Sequence, residues 1–193
     1  MRPDLEAAAA TGDADAQFAL GLACDNADGR PRDPVAAARW YAAAAAQGHA
    51  TAALHLGLLY DSGDGVPQDA ALAAGWYRRA ADAGNADGQV NLGLMYLNGT
   101  GVPQDPVAAL ACFRRAAAQG HARGQFNAGA LVHNGVAGVP DYAEVYRWWT
   151  LAALQGHPQA GSSLDLVTSK LDAAALARAQ ADVADWLQRL AGD

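Results

Sequence analysis

Only two cysteines and a single lysine occur among the 193 residues, and aromatic side chains make up 7%. Each shortage excludes something. Cys24 and Cys112 can form one disulfide at most, so this is not a small domain stapled by disulfides. Thirteen Lys and Arg against twenty Asp and Glu leave a net charge of −7. That is the wrong sign for a phosphate backbone, and no nucleic-acid partner is expected. No apolar run approaches the roughly 18–20 residues that cross a bilayer. The longest, around residues 42–46, is alanine, so no membrane insertion is expected. The start, Met1-Arg2-Pro3-Asp4-Leu5-Glu6, lacks the basic segment and apolar stretch of a secretory signal. A native start places the protein in the cytoplasm; a removed leader would place it in the periplasm or outside. What the chain has in excess is alanine, which supplies about half of the 52% apolar residues. With so few rings, the core must rest on close backbone approach.

The dominant feature is a repeat. Ala14, Ala50, Ala86 and Ala122 open similar blocks, with Pro158 at a fifth station, and the spacing is 36 each time. Within the blocks, Leu20-Gly21, Leu56-Gly57 and Leu92-Gly93 recur, then Ala128-Gly129. Cys24, Tyr60, Tyr96 and Val132 follow, then turns such as Gly63-Asp64-Gly65-Val66-Pro67. Trp40-Tyr41, Trp76-Tyr77, Cys112-Phe113 and Trp148-Trp149 mark a second segment, and Gly48, Gly84, Gly120 or Gly156 closes each block. The physical reading is two helices per block. In block two, residues 50–61 carry Leu54, Leu58 and Tyr60 around Gly57 at helical spacing. Glycines and a proline break the chain, and Asp69, like Asp33 and Asp105, stands where an N-cap belongs. Pro34 and Pro106 suit the first helical position. Gly84 suits a left-handed C-terminus, and Arg78, Arg79, Arg114 and Arg115 suit the negative dipole end.

A glycine inside each first helix implies close helix approach, with Ala80-Ala81 and Ala116-Ala117 as the expected small matching surface. Trp40, Trp76 and Trp148 are expected in the core, as are Cys24 and Cys112, reduced. The boundaries follow the period: a single domain over 1–193, with an N-terminal cap at 1–13, repeats at 14–49, 50–85, 86–121 and 122–157, and a half repeat with capping helix at 158–193. Residues 5–10 read as a remnant second helix. Residues 158–167 read as a fifth first helix, with Asp165 in place of the glycine. Leu176, Ala179, Val183, Trp186-Leu187 and Leu190 then form the apolar stripe of a longer cover, which a repeat array needs at its end.

The pattern Leu-Gly-x-x-Tyr, Gly-x-Gly-Val-Pro, Trp-Tyr-x-x-Ala-Ala-x-x-Gly resembles the Sel1-like repeat, a relative of the tetratricopeptide repeat. The resemblance covers roughly residues 5 to 190. It implies an all-α, right-handed α/α superhelix of four helix-turn-helix repeats whose first helices line a concave surface. It also implies an adaptor role, with toxin immunity as an alternative. In the tetratricopeptide relatives the residue before Leu-Gly faces the groove; here that is Ala19, His55, Asn91, Asn127 and Ser163. The expected protein-binding residues are therefore His55, Asn91, Asn127 and Ser163, with Asp61, Asn98, Arg123 and His133 beside them. Asn91 and Asn127 also match the repeat's own consensus, so a purely structural role stands beside the binding one.

His49, His121 and His157 share one repeat position with Asp13 and Asn85, which is what N-capping selects. Successive repeats also hold them too far apart to share a zinc, and no metal or cofactor is expected. No phosphate loop, nucleophile elbow or His-Glu-x-x-His helix is present. A cysteine-rich branch of the family has been linked to β-lactamase activity. This chain lacks that branch's paired cysteines, and the residue three before Lys170 is Val167, not serine. A weak β-lactamase or cell-wall hydrolase is the alternative of a different class; the reading adopted is a non-catalytic monomer that binds another protein or peptide.

Overall fold

The computed structural model describes residues 3–26 and 31–192. Met1, Arg2 and the side chain of Leu190 lie outside the described residues. The described residues form eleven helices and no strand: α1 (Pro3–Ala10), α2 (Ala14–Asp25), α3 (Pro34–Ala46), α4 (Ala50–Ser62), α5 (Ala70–Asp82), α6 (Ala86–Asn98), α7 (Pro106–Ala118), α8 (Ala122–His133), α9 (Tyr142–Leu154), α10 (Ala160–Thr168) and α11 (Ala173–Gly192). The all-α class and the two-helix repeat of about 36 residues are as the sequence implies. The chain divides into two compact units, Met1–Gln104 and Asp105–Asp193.

In the first unit, α2 pairs with α3 and α4 with α5, while α1 packs on α2, α3 on α4, and α5 on α6. Side-chain caps set the helix starts. Asp13 and Asn85 accept from the N–H of Ala16 (2.7 Å) and Gly88 (2.8 Å), and Asp69 from those of Ala71 and Leu72 (both 2.9 Å). Each such bond satisfies an orphan helical donor. Gly84 ends its hairpin with φ of +89°. The remnant helix α1 does cover the first repeat, with Ala9 buried against Ala16 and Leu20 beside Leu5, Ala8 and Trp40.

The helical glycines serve a different partner from the expected alanines. A Cβ on Gly57 would stand 2.7 Å from ring atoms of Tyr77, and one on Gly21 2.5 Å from Tyr41. Each glycine thus seats an aromatic ring of its own hairpin. Ala80 instead faces Gly88, where a Cβ would lie 2.7 Å from the alanine methyl. The second aromatic of each pair is the true core residue: Tyr41 and Tyr77 are fully buried, while Trp40 and Trp76 are half-buried. Trp76 instead carries the Arg79 guanidinium on its face at 4.6 Å. Cys24 is half-buried too.

In the second unit, α8 packs between α7 and α9, and α9 also carries α10 and α11. Gly129 would bring a Cβ within 2.6 Å of Trp149. Here Trp148 is buried as expected, and so is Cys112. The terminal cover α11 buries Ala179 and Val183 and sets Trp186 edge-on to Trp148 at 5.7 Å; Leu187, expected in its apolar stripe, is exposed.

Candidate functional site

Spacings of 4, 3 and 4 return a helix to nearly the same face. On α4 this stripe is Thr51, His55, Leu58 and Ser62, and on α6 it is Asp87, Asn91, Leu94 and Asn98. All eight are half-buried or exposed, while Leu56, Leu59, Leu92 and Met95, which lie off the stripes, are buried. Both helices pack on α5. The two stripes thus carry three of the expected residues, His55 on α4 and Asn91 and Asn98 on α6, with Leu58 42% exposed in the middle of α4.

Asp61 lies beside that stripe and has a structural duty. Its Oδ2 accepts from the Tyr77 hydroxyl at 3.4 Å, as Asp25 accepts from Tyr41 at 3.3 Å, and its carbonyl accepts from Gln68 at 2.7 Å. Burial is the main reason that both tyrosine hydroxyls are pushed up from their ordinary value, with the neighbouring carboxylates adding to it.

His55 is integrated into the packing. Its ring lies 5.1 Å from Tyr41 and edge-on to Phe18 at 5.6 Å, and Phe18 also meets His49 at 4.5 Å. Burial lowers the His55 pKa, against the pull of Asp25, and the neighbouring His49 lowers it further. A neutral imidazole, donor on one nitrogen and acceptor on the other, is thus what the face presents at neutral pH.

In the second unit, Arg123 and Asn127 occupy the same stripe of α8, with Ala130 and Asn134. Arg123 is exposed and Asn127 half-buried. His133 sits one position aside, its ring 5.5 Å from Trp149 and 6.2 Å from Tyr142. Ser163 on α10 donates its hydroxyl to the Gln159 carbonyl at 2.8 Å, which commits that proton within its own helix.

Two of the three histidines in register are caps as expected. His49 Nδ1 accepts from Ala52 N–H (3.0 Å) and His121 Nδ1 from Gly124 N–H (3.3 Å). His157 is not a cap. Pro158 follows it, α10 starts only at Ala160, and the imidazole instead stacks on Phe126 at 4.2 Å. Among the described residues no group of three His, Cys, Asp or Glu is placed to hold a metal ion, and no helix is long and apolar enough to cross a membrane.

The sequence reading assigned Arg114 to the helix dipole and missed its main contact. Its Nε and Nη2 donate to Glu144 at 2.8 and 2.7 Å, and Trp148 Nε1 donates to the same carboxylate at 3.0 Å. Burial pushes the Glu144 carboxyl up, but these donors and the Arg114 charge outweigh it and hold the group below its ordinary value. Arg and Glu thirty residues apart, on two second helices of a known period, were the available signal.

A model of the Sel1 repeat matches residues 14–49, 50–85, 86–121 and 122–157. Among solved structures, a Sel1 repeat protein from Oxalobacter formigenes shares 30% identity with a TM-score of 0.76, over 85% of this chain and 65% of that one. A protective antigen present in uropathogenic Escherichia coli strains, which displays the same repeat fold, shares 28% identity with a TM-score of 0.80, over 97% of this chain and 48% of that one. The chain thus spans less than two thirds of either protein, and their bacterial sources suggest a bacterial origin for it. No protein of curated function matches the chain. Four matched repeats, seated rings and capped hairpins lead to one assignment: the chain belongs to the Sel1 repeat family.

Proposed function

We propose that this protein is a non-catalytic adaptor that binds a protein or peptide segment along the outward stripes of its first helices. Sel1 repeat proteins generally mediate protein–protein interaction, and the family is generally a non-catalytic scaffold. The observation that carries the reading here is the matching stripes of α4 and α6, one with an exposed Leu58 one turn from His55 and the other with Asn91 and Asn98 open to solvent at least in part. Polar groups on rigid helices give direction, and apolar area at Leu58 and Leu94 supplies the desolvation that a few hydrogen bonds do not. The hairpins are capped before any ligand arrives, so the receptor loses little ordering entropy on binding.

The test is capture from a lysate of the native host on the immobilised chain, compared with a Leu58→Asp, Asn91→Ala variant. Neither side chain belongs to the core, so the melting temperature should hold. Partner retention should fall at least about tenfold, the effect of losing a central contact worth roughly 1–2 kcal/mol. Equal retention by both proteins would remove the stripe from the binding surface. Should the retained partner be a secreted toxin, the adaptor would be an immunity factor.

A further inference from the structure

Charge in the first unit is sorted by helix. The first helices α2, α4 and α6 carry Asp15, Asp25, Asp61 and Asp87 and no lysine or arginine. The second helices α3 and α5 carry Arg39, Arg78 and Arg79 against Asp82 alone. On α2 the stripe in register with those of α4 and α6 is Asp15, Ala19, Leu22 and Asn26. The three stripes therefore offer carboxylates and no fixed cation. His55 on α4 adds no positive charge at neutral pH, since burial lowers its pKa.

The α2 and α4 stripes meet through their side chains. The Phe18 ring lies 4.5 Å from His49 and 5.6 Å from His55, and His49 Nε2 lies 3.5 Å from Asp15 Oδ1. The next two repeats bury Leu54 and Val90 at the position of Phe18. Phe18, His49 and His55 are instead half-buried, so this ring cluster reaches the surface. The Asp15 side chain beside it is 95% exposed. Asp25 is already committed to Arg32 at 2.5 Å and to the Tyr41 hydroxyl, which leaves Asp15 as the carboxylate that the junction presents. Apolar area follows on the same stripes: half-buried Leu22 two turns beyond Asp15, and Leu58 one turn beyond His55. A cationic side chain here gains the Asp15 charge, and its flat guanidinium or aliphatic stem can stack on the neighbouring rings. An acidic side chain meets repulsion with no lysine or arginine on α2 or α4 to offset it.

We propose that the junction of α2 and α4 docks a basic, partly apolar polypeptide segment, with an arginine or lysine paired to Asp15 against Phe18 and an apolar side chain against Leu58. The proposal rests on the protein-binding reading above and gives the partner its charge.

The probe is a short acetylated and amidated peptide repeating Leu-Arg-Gly-Ser, titrated into the isotope-labelled full chain and followed by amide NMR shifts. Saturable shifts are expected at residues 15–22 and 49–58, with the matching Leu-Glu-Gly-Ser peptide at least about tenfold weaker. Added salt should weaken the basic probe by screening exposed charge. Asp15→Lys should weaken it at least about fivefold, while Asp182→Lys, an equal change of net charge at an exposed position of α11, should cost less than about twofold. If Asp15→Lys does not fold, Asp15→Asn against Asp182→Asn should give the same ranking. Absence of saturable shifts, equal binding of the acidic peptide, or equal losses from the paired variants would overturn the proposal, the last by showing attraction to net charge alone. If it fails while Leu58→Asp, Asn91→Ala still releases the captured partner, the adaptor reading stands with a partner of other charge; if the basic probe binds and the captured partner is not released, it is the adaptor reading of α4 and α6 that falls.

Discussion

Leucine in place of Gly57 is expected to destabilise the first unit by about 3 kcal/mol or more, through overpacking of a closed core. The helix alone would predict the opposite sign, since leucine is favoured over glycine in a helix by roughly 0.5–1 kcal/mol. The contact decides between them. A Cβ at residue 57 already stands 2.7 Å from Tyr77 Cδ1 and Cε1, and Tyr77 is 1% exposed. A buried ring cannot swing aside as the tip of a surface lysine would. Three further carbons must then separate α4 from α5 or expel the tyrosine from beneath it. Gly75, on α5, is the internal control, because nothing lies within 4 Å of a Cβ built there. Gly75→Ala should therefore raise stability by about 0.5–1 kcal/mol. Thermal unfolding of both variants checks the pair; equal effects would mean that helix propensity, not ring seating, governs residue 57.

Gly101→Val should be comparably severe, at about 3–5 kcal/mol, for a different reason. Gly101 has φ of +69°, which a β-branched residue adopts only under strain of roughly 1–2 kcal/mol. A Cβ there would also lie 2.1 Å from the Ala70 carbonyl oxygen and 2.9 Å from the Ala71 nitrogen. Those atoms belong to the first turn of α5, so the obstacle is hydrogen-bonded backbone and has no rotamer to change. The loop after α6 therefore leans directly on the preceding second helix, and this contact helps to hold successive hairpins together. Calorimetry would show a lower melting temperature for the variant, and an unchanged one would mean that the loop does not bear on α5.

The repeat length, the helix pairs, the aspartate caps and the terminal cover were legible in the sequence, because each is a local signal. Proline after Asp33, glycine at residue 84 and alternating helical apolar positions act within a few residues. Contacts that depend on how two helices cross were not legible. Gly57 could be read as a close approach, but whether it met Ala80 or Tyr77 turns on an interhelical geometry that sequence spacing does not contain. The same gap hid the Arg114–Glu144 pair, and it put Trp40 in the core when the ring beneath the glycine is its neighbour Tyr41. His157 misled for a local reason, since Pro158 shifted the start of α10 and left the ring to stack on Phe126. The candidate face was half legible. Register placed His55 and Asn91 at matching positions of α4 and α6, but only the structure shows that Asp61 serves Tyr77 and that Ser163 serves its own helix.

Site-specific cross-linking tests the binding account most directly. Leu58 on α4 and Leu72 on α5 are similarly exposed, at 42% and 46%, within one unit. A photoreactive amino acid at residue 58 should cross-link to a host polypeptide, and the same group at residue 72 should not. Cross-linking from residue 72 alone, or equally from both, would contradict a binding face built on the first helices.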